Sequence, residues 1–321
     1  MRPRPLGRRA ALGLLAAPAL AAAQGFPARP IRLVVPYPPG GGADTTARLL
    51  AEPMGAFLGQ PVVVENRAGA GGSIGAGVVA QAPADGHTLL LDAGAHVVNP
   101  ALLRGLAFDY ARAFAPISQV TVLPQLLVVR PGLAASDLAG FVALARGAAQ
   151  GLSFGSSGNA TSSHLAGALL AKVAGFNLVH VPYRGGGPAV QDLVAGNIDW
   201  HMGTVSSSLA LAREGRIRVL GVTHSARIPP LPEAPAIAES FPGFELDEWN
   251  GLYGVAGTPE PVLDRVHAAA LHALAQPAVR ERIAALGAIA LGTPRAAFAA
   301  SVAARRVSMA ELVREARITI E

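Results

Sequence analysis

Apolar residues fall along this chain in short runs that alternate with longer stretches of helical period. Ile31–Val35, Val62–Glu65 and Thr88–Asp92 read as strands. Between them Asp44–Leu58 reads as a helix, with Ala47, Leu50, Met54 and Phe57/Leu58 on one face, and Ser73–Gln81 as a second. Pro53 lies inside the first helix and predicts a kink. Strands Ile117–Thr121 and Gln125–Val129 flank Pro124. Helix Ser136–Ala149, strand Leu152–Gly155, helix Ser162–Ala174 and strand Leu178–Val181 follow. Helix Pro188–Ala195, strand Ile198–Met202, helix Ser206–Arg213 and strand Arg218–Val222 complete the series. Repeated β-α units of this length predict an α/β fold of parallel sheets with helices on both faces. The Pro-rich stretch Ile228–Gly243 reads as a connector. Beyond it come a short strand around Gly251–Val255 and helices Pro259–Leu274, Pro277–Leu286 and Pro294–Ala316. Proline at the first helical position recurs in this tail, as its fixed φ favours.

The N-terminus follows a different pattern. Arg2, Arg4, Arg8 and Arg9 precede an apolar run from Ala10 to Ala23 that ends in small residues. A charged start, a short apolar core and an Ala-x-Ala exit predict a secretory signal peptide, residues 1–23, cleaved near Ala23. The run is shorter than the roughly 20 residues that span a bilayer, so a permanent anchor is not expected. The adjacent Arg8-Arg9 leaves a twin-arginine export route open.

Cleavage changes the charge argument. The chain has 26 basic and 21 acidic residues, and the first 23 hold four arginines and no acid, which leaves 22 against 21, or +1. No basic stripe interleaved with aromatics is present, so a nucleic-acid partner is not expected. The absence of cysteine excludes disulfides, thiolate metal sites and a lipid anchor at a cleavage-point Cys. The remaining 298 residues allow one large or two medium domains.

Two glycine-rich turns sit where strands run into helices. Gly40-Gly41-Gly42-Ala43-Asp44 follows the first strand, with Asp44 placed to cap the helix. Gly155-Ser156-Ser157-Gly158-Asn159-Ala160-Thr161 leads into the helix that carries His164. Helix N-termini with close-approaching backbone attract anions. A plain capped turn is the alternative reading of both. There is also an internal echo: Val35-Pro36-Tyr37 runs into glycines 40–42, and Val181-Pro182-Tyr183 into glycines 185–187. In open α/β sheets ligands bind at the carboxyl ends of strands, so the two copies could face each other across a cleft.

Enzyme signatures fail on context. Gly151-Leu152-Ser153-Phe154-Gly155 matches the spacing of a hydrolase elbow, but Ser153 lies within a strand rather than on a strand-to-helix turn. Gly75-Ala76-Gly77-Val78-Val79-Ala80 resembles a dinucleotide fingerprint, yet Asp92 follows too closely and the preceding loop is too long. Lys172, the single lysine, follows no P-loop. No two histidines have the i,i+4 spacing of a helical zinc site, so no metal and no cofactor are expected.

Several ordered stretches together resemble the substrate-binding receptors of tripartite tricarboxylate transporters, the Bug receptors. They are Arg29 through Asp44, Gly59-Gln60-Pro61-Val62-Val63-Val64-Glu65-Asn66-Arg67 with the glycine run to Gly77, and Asp85-Gly86-His87-Thr88-Leu89-Leu90. The Gly155–His164 loop, Val181–Gly186, Leu231–Pro235, Trp249-Asn250-Gly251-Leu252 and Ala256–Pro259 follow in order. The resemblance implies a periplasmic-binding-protein-like α/β fold of type II, with a ligand cleft between two lobes. Residues 24–123 and 227–321 would form lobe 1, and 124–226 lobe 2. It implies a non-enzymatic, monomeric receptor that closes on a small carboxylate or dicarboxylate and passes it to membrane permease subunits. A sensor that reports to a membrane kinase is the alternative of another class, and a serine hydrolase acting through Ser153 a third. Carried over residue by residue, the resemblance implies ligand contacts at Tyr37, Gly41, Gly42 and Asp44 in the first lobe. In the second it implies Ser156, Ser157, Thr161 and His164, with Tyr183 and Asp199 as further candidates. The sequence departs from the family pattern at Pro53, at Asn159-Ala160-Thr161 and at Ile198-Asp199-Trp200-His201-Met202, and these departures are expected to affect which solute fits.

Overall fold

The computed structural model describes residues 25–319; the signal peptide expected at residues 1–23 lies outside the described residues. In chain order the first part of the fold is β1 Ile31–Val35, α1 Gly42–Leu58, β2 Val62–Asn66, α2 Ser73–Ala80, β3 Thr88–Asp92, α3 Ala95–Leu102 and β4 Phe114–Leu123. Next come β5 Gln125–Val129, α4 Leu138–Gly147, β6 Leu152–Ser156, α5 Ser162–Ala174, β7 Leu178–Pro182, α6 Gly186–Ala195, β8 Trp200–Thr204, α7 Val205–Arg213 and β9 Arg218–Val222. The last part is β10 Glu248–Val255, α8 Glu260–Ala275, α9 Pro277–Ala285, β11 Ile289–Ala290 and α10 Arg295–Glu315.

These strands form two sheets, one of order β11-β4-β10-β3-β1-β2 and one of order β7-β6-β8-β5-β9. The first draws on both ends of the chain and the second on its middle. The sheets are mixed rather than parallel as the β-α repeat predicts. β1 pairs in parallel with β2 and β3, but β10 runs antiparallel to both β3 and β4. In the second sheet β5 runs antiparallel to β8 and β9. The antiparallel strands are those where the chain passes from one sheet to the other. A period-2 pattern reports burial and not direction, so these reversals cannot be read from spacing.

Local chemistry accounts for most element ends. α1 stops at Gly59 and α5 at Gly175, both left-handed glycines. The helical assignment of α1 runs unbroken through Pro53, where a kink is expected. α3 is short and contains Pro100, which hides its period, and it was not expected. β11 is only two residues long and exists because Ile289 and Ala290 pair with Val122 and Thr121.

Packing also moves the second crossover. The sequence places residues from 227 onward in lobe 1, yet Ile228, Leu231, Ala234 and Ala236 pack in one cluster with Leu126, Val128 and Val222 of the second sheet. The proline-rich stretch is therefore a flap on that sheet before it becomes a connector. Where β10 enters the first sheet, Asn250 Oδ1 accepts from Thr46 of α1 (3.2 Å) and Thr121 of β4 (3.0 Å), tying three elements in a buried knot.

Candidate functional site

A cavity of about 910 Å³ opens at the junction of the two sheets. Tyr37, Gly71 and Ala93–Ala95 line it from one side, and Ser157, Asn159–Ser163 and Thr204 from the other. Gln125 and Glu245–Trp249, from the two crossovers, lie on its wall, as do Ser301, Arg305 and Ser308 of α10.

The first side is built on Asp92, at the carboxyl end of an all-buried β3. Its Oδ1 accepts from Tyr37 Oη at 2.7 Å and from the Ala93 N–H at 2.8 Å, and its Oδ2 faces His96 Nδ1 at 3.1 Å. Burial, then the Asp92 charge, push the Tyr37 phenol well above its ordinary pKa, so it stays a neutral donor to Asp92. Gly94 leaves space between the lobes: a Cβ there would lie 3.5 Å from Ser162 Oγ and 3.7 Å from Trp249 Nε1.

Gly41, Gly42 and Asp44 do not line the cavity. The helix begins one turn earlier than an Asp44 cap requires. Gly41 is the N-cap, and Asp44 sits inside the first turn, reaching back to the Gly40 N–H at 2.9 Å. It also accepts from Arg48 Nε (3.0 Å) and Asn66 Nδ2 (2.9 Å). Burial raises its pKa, but the bonds from Arg48, Gly40 and Asn66 outweigh this and hold it below the usual carboxylate range. With its oxygens so committed, Asp44 secures the turn that presents Tyr37.

The second side is the β6–α5 turn. Thr161 caps α5 by accepting the His164 N–H. Ser163 Oγ donates to the Met202 carbonyl at 2.6 Å and accepts the Ser157 N–H at 3.3 Å, so the turn is anchored to β8. Of the residues expected here, Ser157 and Thr161 reach the cavity, while Ser156 and His164 lie behind it. Ser156 Oγ is 2.6 Å from His180 Nε2, and His164 stacks on His180 at 3.7 Å while accepting the Ala160 N–H. The histidines thus brace the turn from beneath. Asn159, the unusual amide, does line the cavity.

Tyr183 and Asp199 are not part of the lining. Tyr183 Oη donates to Asp192 at 2.7 Å, so only the first copy of the Val-Pro-Tyr echo faces the cleft. Asp199 accepts from Arg130 Nε (3.0 Å) and Ser153 Oγ (2.8 Å). It precedes β8, whose far end carries the cavity residue Thr204; five residues of strand put roughly 16 Å between them. The same bond takes up Ser153 in mid-strand. Trp200 is fully buried among Phe141, Phe154 and Phe176, so this departure from the family pattern acts on the core and not on the pocket.

Sequence reasoning missed Asp92, Thr204, Gln125, Trp249 and Arg305. Asp92 with His96 four residues on, after a wholly apolar strand, was the available signal. The others come from crossovers and from α10, which nothing local marks as adjacent to the cleft.

Where the crossovers meet, Thr223 exchanges hydrogen bonds with Gln125 and donates to Asp247 Oδ1 at 2.6 Å, while His224 Nδ1 meets Asp247 Oδ2 at 2.5 Å. His224, Glu245 and Asp247 are the group among the described residues that could bring three metal-ligating atoms together. Both oxygens of Asp247 are already engaged, and the cluster serves as a clasp between the crossovers.

His164 and His201 set a pH response. Burial, helped for His164 by His180, lowers His164 to about 4, and burial lowers His201 to about 4. The unfolded chain takes up these protons near pH 6.5 and the folded chain does not. Stability is therefore complete above that value and is lost as pH falls toward 4. Urea unfolding between pH 7 and pH 4 should show a falling midpoint, and His164→Gln with His201→Gln should flatten the slope.

Two α/β lobes joined by paired crossovers, with a cleft walled by strand-end turns of both, define a solute receptor of the periplasmic-binding-protein class, type II. The sequence profile of the tripartite tricarboxylate transporter family receptor matches residues 46–294, and the chain belongs to that family. It is 45% identical over 264 residues to a protein encoded in the tcbD-tcbE intergenic region of Pseudomonas sp. strain P51, covering 82% of this chain and 79% of that one. BugT of Bordetella pertussis is 35% identical over 266 residues, 82% of each chain. Among solved structures, MatC of Rhodopseudomonas palustris with bound malate superposes with TM-score 0.73 at 34% identity, over 90% of this chain and all of that one. A second R. palustris protein, solved with adipate, gives TM-score 0.76 at 31% identity, over 92% and 99%.

Proposed function

We propose that this chain is a periplasmic receptor that captures a small carboxylate or dicarboxylate between its lobes and delivers it to the permease subunits of a tripartite tricarboxylate-type transporter. The observation that carries the reading is a single cavity bounded by strand-end turns of both sheets and rich in neutral donors: Ser157, Asn159, Thr161, Ser162 and Thr204. Hydroxyls, backbone N–H groups and helix N-termini hold an anion reversibly. The relatives with malate and adipate bound support this ligand class.

The receptor acts as a monomer and catalyses nothing. Ser153 is tied to Asp199, and Ser156, though paired with His180, is buried away from the cavity. Residues 1–23 are removed on export. The lobes are 24–123 with the C-terminal part, and the central segment from 124, with the second crossover after Ala236 rather than at 227. Ligand contacts within the expected set are Tyr37, Ser157 and Thr161; Gly41, Gly42, Asp44, Ser156 and His164 support them.

A thermal-shift screen of small carboxylates tests this. A bound acid at a hundredfold excess over its Kd stabilises the native state by about 2.7 kcal/mol. No shift with any acid, together with a clear shift for sugars or metal ions, would overturn the assignment.

A further inference from the structure

The lining of the cavity is not uniform, and its volume lies near the upper end of the roughly 300–1,000 Å³ typical of ligand pockets. The β6–α5 turn is polar. Val97, Val98 and Leu102 of α3, with Leu246 and Met309, make an apolar stretch of wall. Among the described lining residues one permanent cation occurs, Arg305 of α10.

Its guanidinium lies over the Trp249 ring, 5.2 Å from the centroid. The nearest acid, Glu245, is 3.7 Å away, beyond hydrogen-bonding distance, and Arg305 donates no hydrogen bond among the described residues. Stacking on an indole fixes a guanidinium's plane while leaving its edge donors free. Trp249 is itself 3% exposed and its Nε1 makes no hydrogen bond among the described residues. That nitrogen and Ser162 Oγ both approach Gly94, so the indole runs from the α5 N-terminus to the underside of Arg305.

The other acids on the wall do not oppose an anion here. Asp247 is held by Thr223 and His224, and burial pushes the Glu248 carboxyl up toward its neutral form.

We propose that Arg305, seated on Trp249, is a second anion pole of this cavity, so that the ligand is an extended diacid with an apolar linker. One carboxylate sits at the Ser157–Ser163 turn, the linker lies along α3 and Met309, and the second carboxylate meets Arg305. This rests on the carboxylate-receptor reading and adds a length and a second charge to it. Arg305 is thereby a specificity determinant.

The experiment is calorimetric titration of the full mature chain with succinate, adipate and suberate beside butyrate, hexanoate and octanoate. Adipate or suberate is expected to bind at least tenfold more tightly than the monoacid of equal length. Arg305→Gln should remove that advantage and leave monoacid affinity unchanged, and Arg305→Lys should restore part of it. Circular dichroism of the variants verifies folding, and Arg305 is only partly buried with a single distant acid to lose. Diacid affinity within twofold of wild type in Arg305→Gln would overturn the proposal, as would equal losses for diacid and monoacid. If the wild-type protein binds none of the six acids, this proposal falls, and the thermal-shift screen decides the carboxylate reading separately.

Discussion

Replacing Asp92 with alanine is expected to lower the unfolding free energy by about 3–5 kcal/mol, since each buried group left without its hydrogen-bond partner costs about 1–3 kcal/mol. Asp92 and His96 are each 1% exposed. The carboxylate binds the Tyr37 phenol, the His96 ring and the Ala93 N–H at once, and His96 and Ala93 are themselves buried. His96 in turn stacks on Tyr253 at 4.0 Å, inside an aromatic cluster with Tyr110 and Phe114, so the imidazole cannot swing out to solvent. The same variant should bind ligand more weakly, because Tyr37 loses the bond that holds it at the cavity wall. Urea unfolding and ligand-induced thermal shift, measured on one preparation, check both effects. A stability loss under about 1 kcal/mol with an unchanged ligand shift would show that Tyr37 is placed by something else.

Trp200→Ala should cost about as much, roughly 3–5 kcal/mol for an aromatic core truncation, with a different functional signature. The indole is fully buried, 4.2 Å from the Phe154 ring and 5.3 Å from Phe141. Its loss leaves a cavity in the second lobe, and its ring partners Phe141, Phe154 and Phe176 do not line the cleft. The rank order of acids bound should therefore be the same as in the wild-type protein. Trp200→Phe should be milder, since it keeps most of the ring and removes a buried Nε1 that has no partner among the described residues. A changed rank order in Trp200→Ala would mean that the core of this lobe shapes the pocket from behind.

The contrast between these residues measures how much of the site was legible. Both end or begin a strand and both are buried. Trp200 drew attention because it departs from a family pattern, while Asp92 passed as a strand terminus. Yet Asp92 organises the cleft and Trp200 fills a core. Likewise Tyr37 and Tyr183 stand in matching local sequences, but one meets Asp92 at the cavity and the other Asp192 away from it. Local sequence specifies a turn and the residue it displays. It does not specify which neighbouring strand will lie beside that turn.

The two-lobed carboxylate clamp that motif order suggested thus keeps its outline and changes its contacts. By itself the sequence determined what depends on near neighbours: the order of strands and helices, most of their ends, and the Ser157–Thr161 turn at a helix N-terminus. Periodicity, caps and glycine punctuation act over a few residues, and they are written in the chain. Only the tertiary structure decided the antiparallel course of β5 and β10, the packing of Ile228, Leu231, Ala234 and Ala236 on the second sheet, and the arrival of Tyr37, Trp249 and Arg305 at one cavity. Those depend on contacts between distant segments, such as Thr46 with Asn250, 204 positions apart, where burial and hydrogen-bond satisfaction across the fold choose the partner.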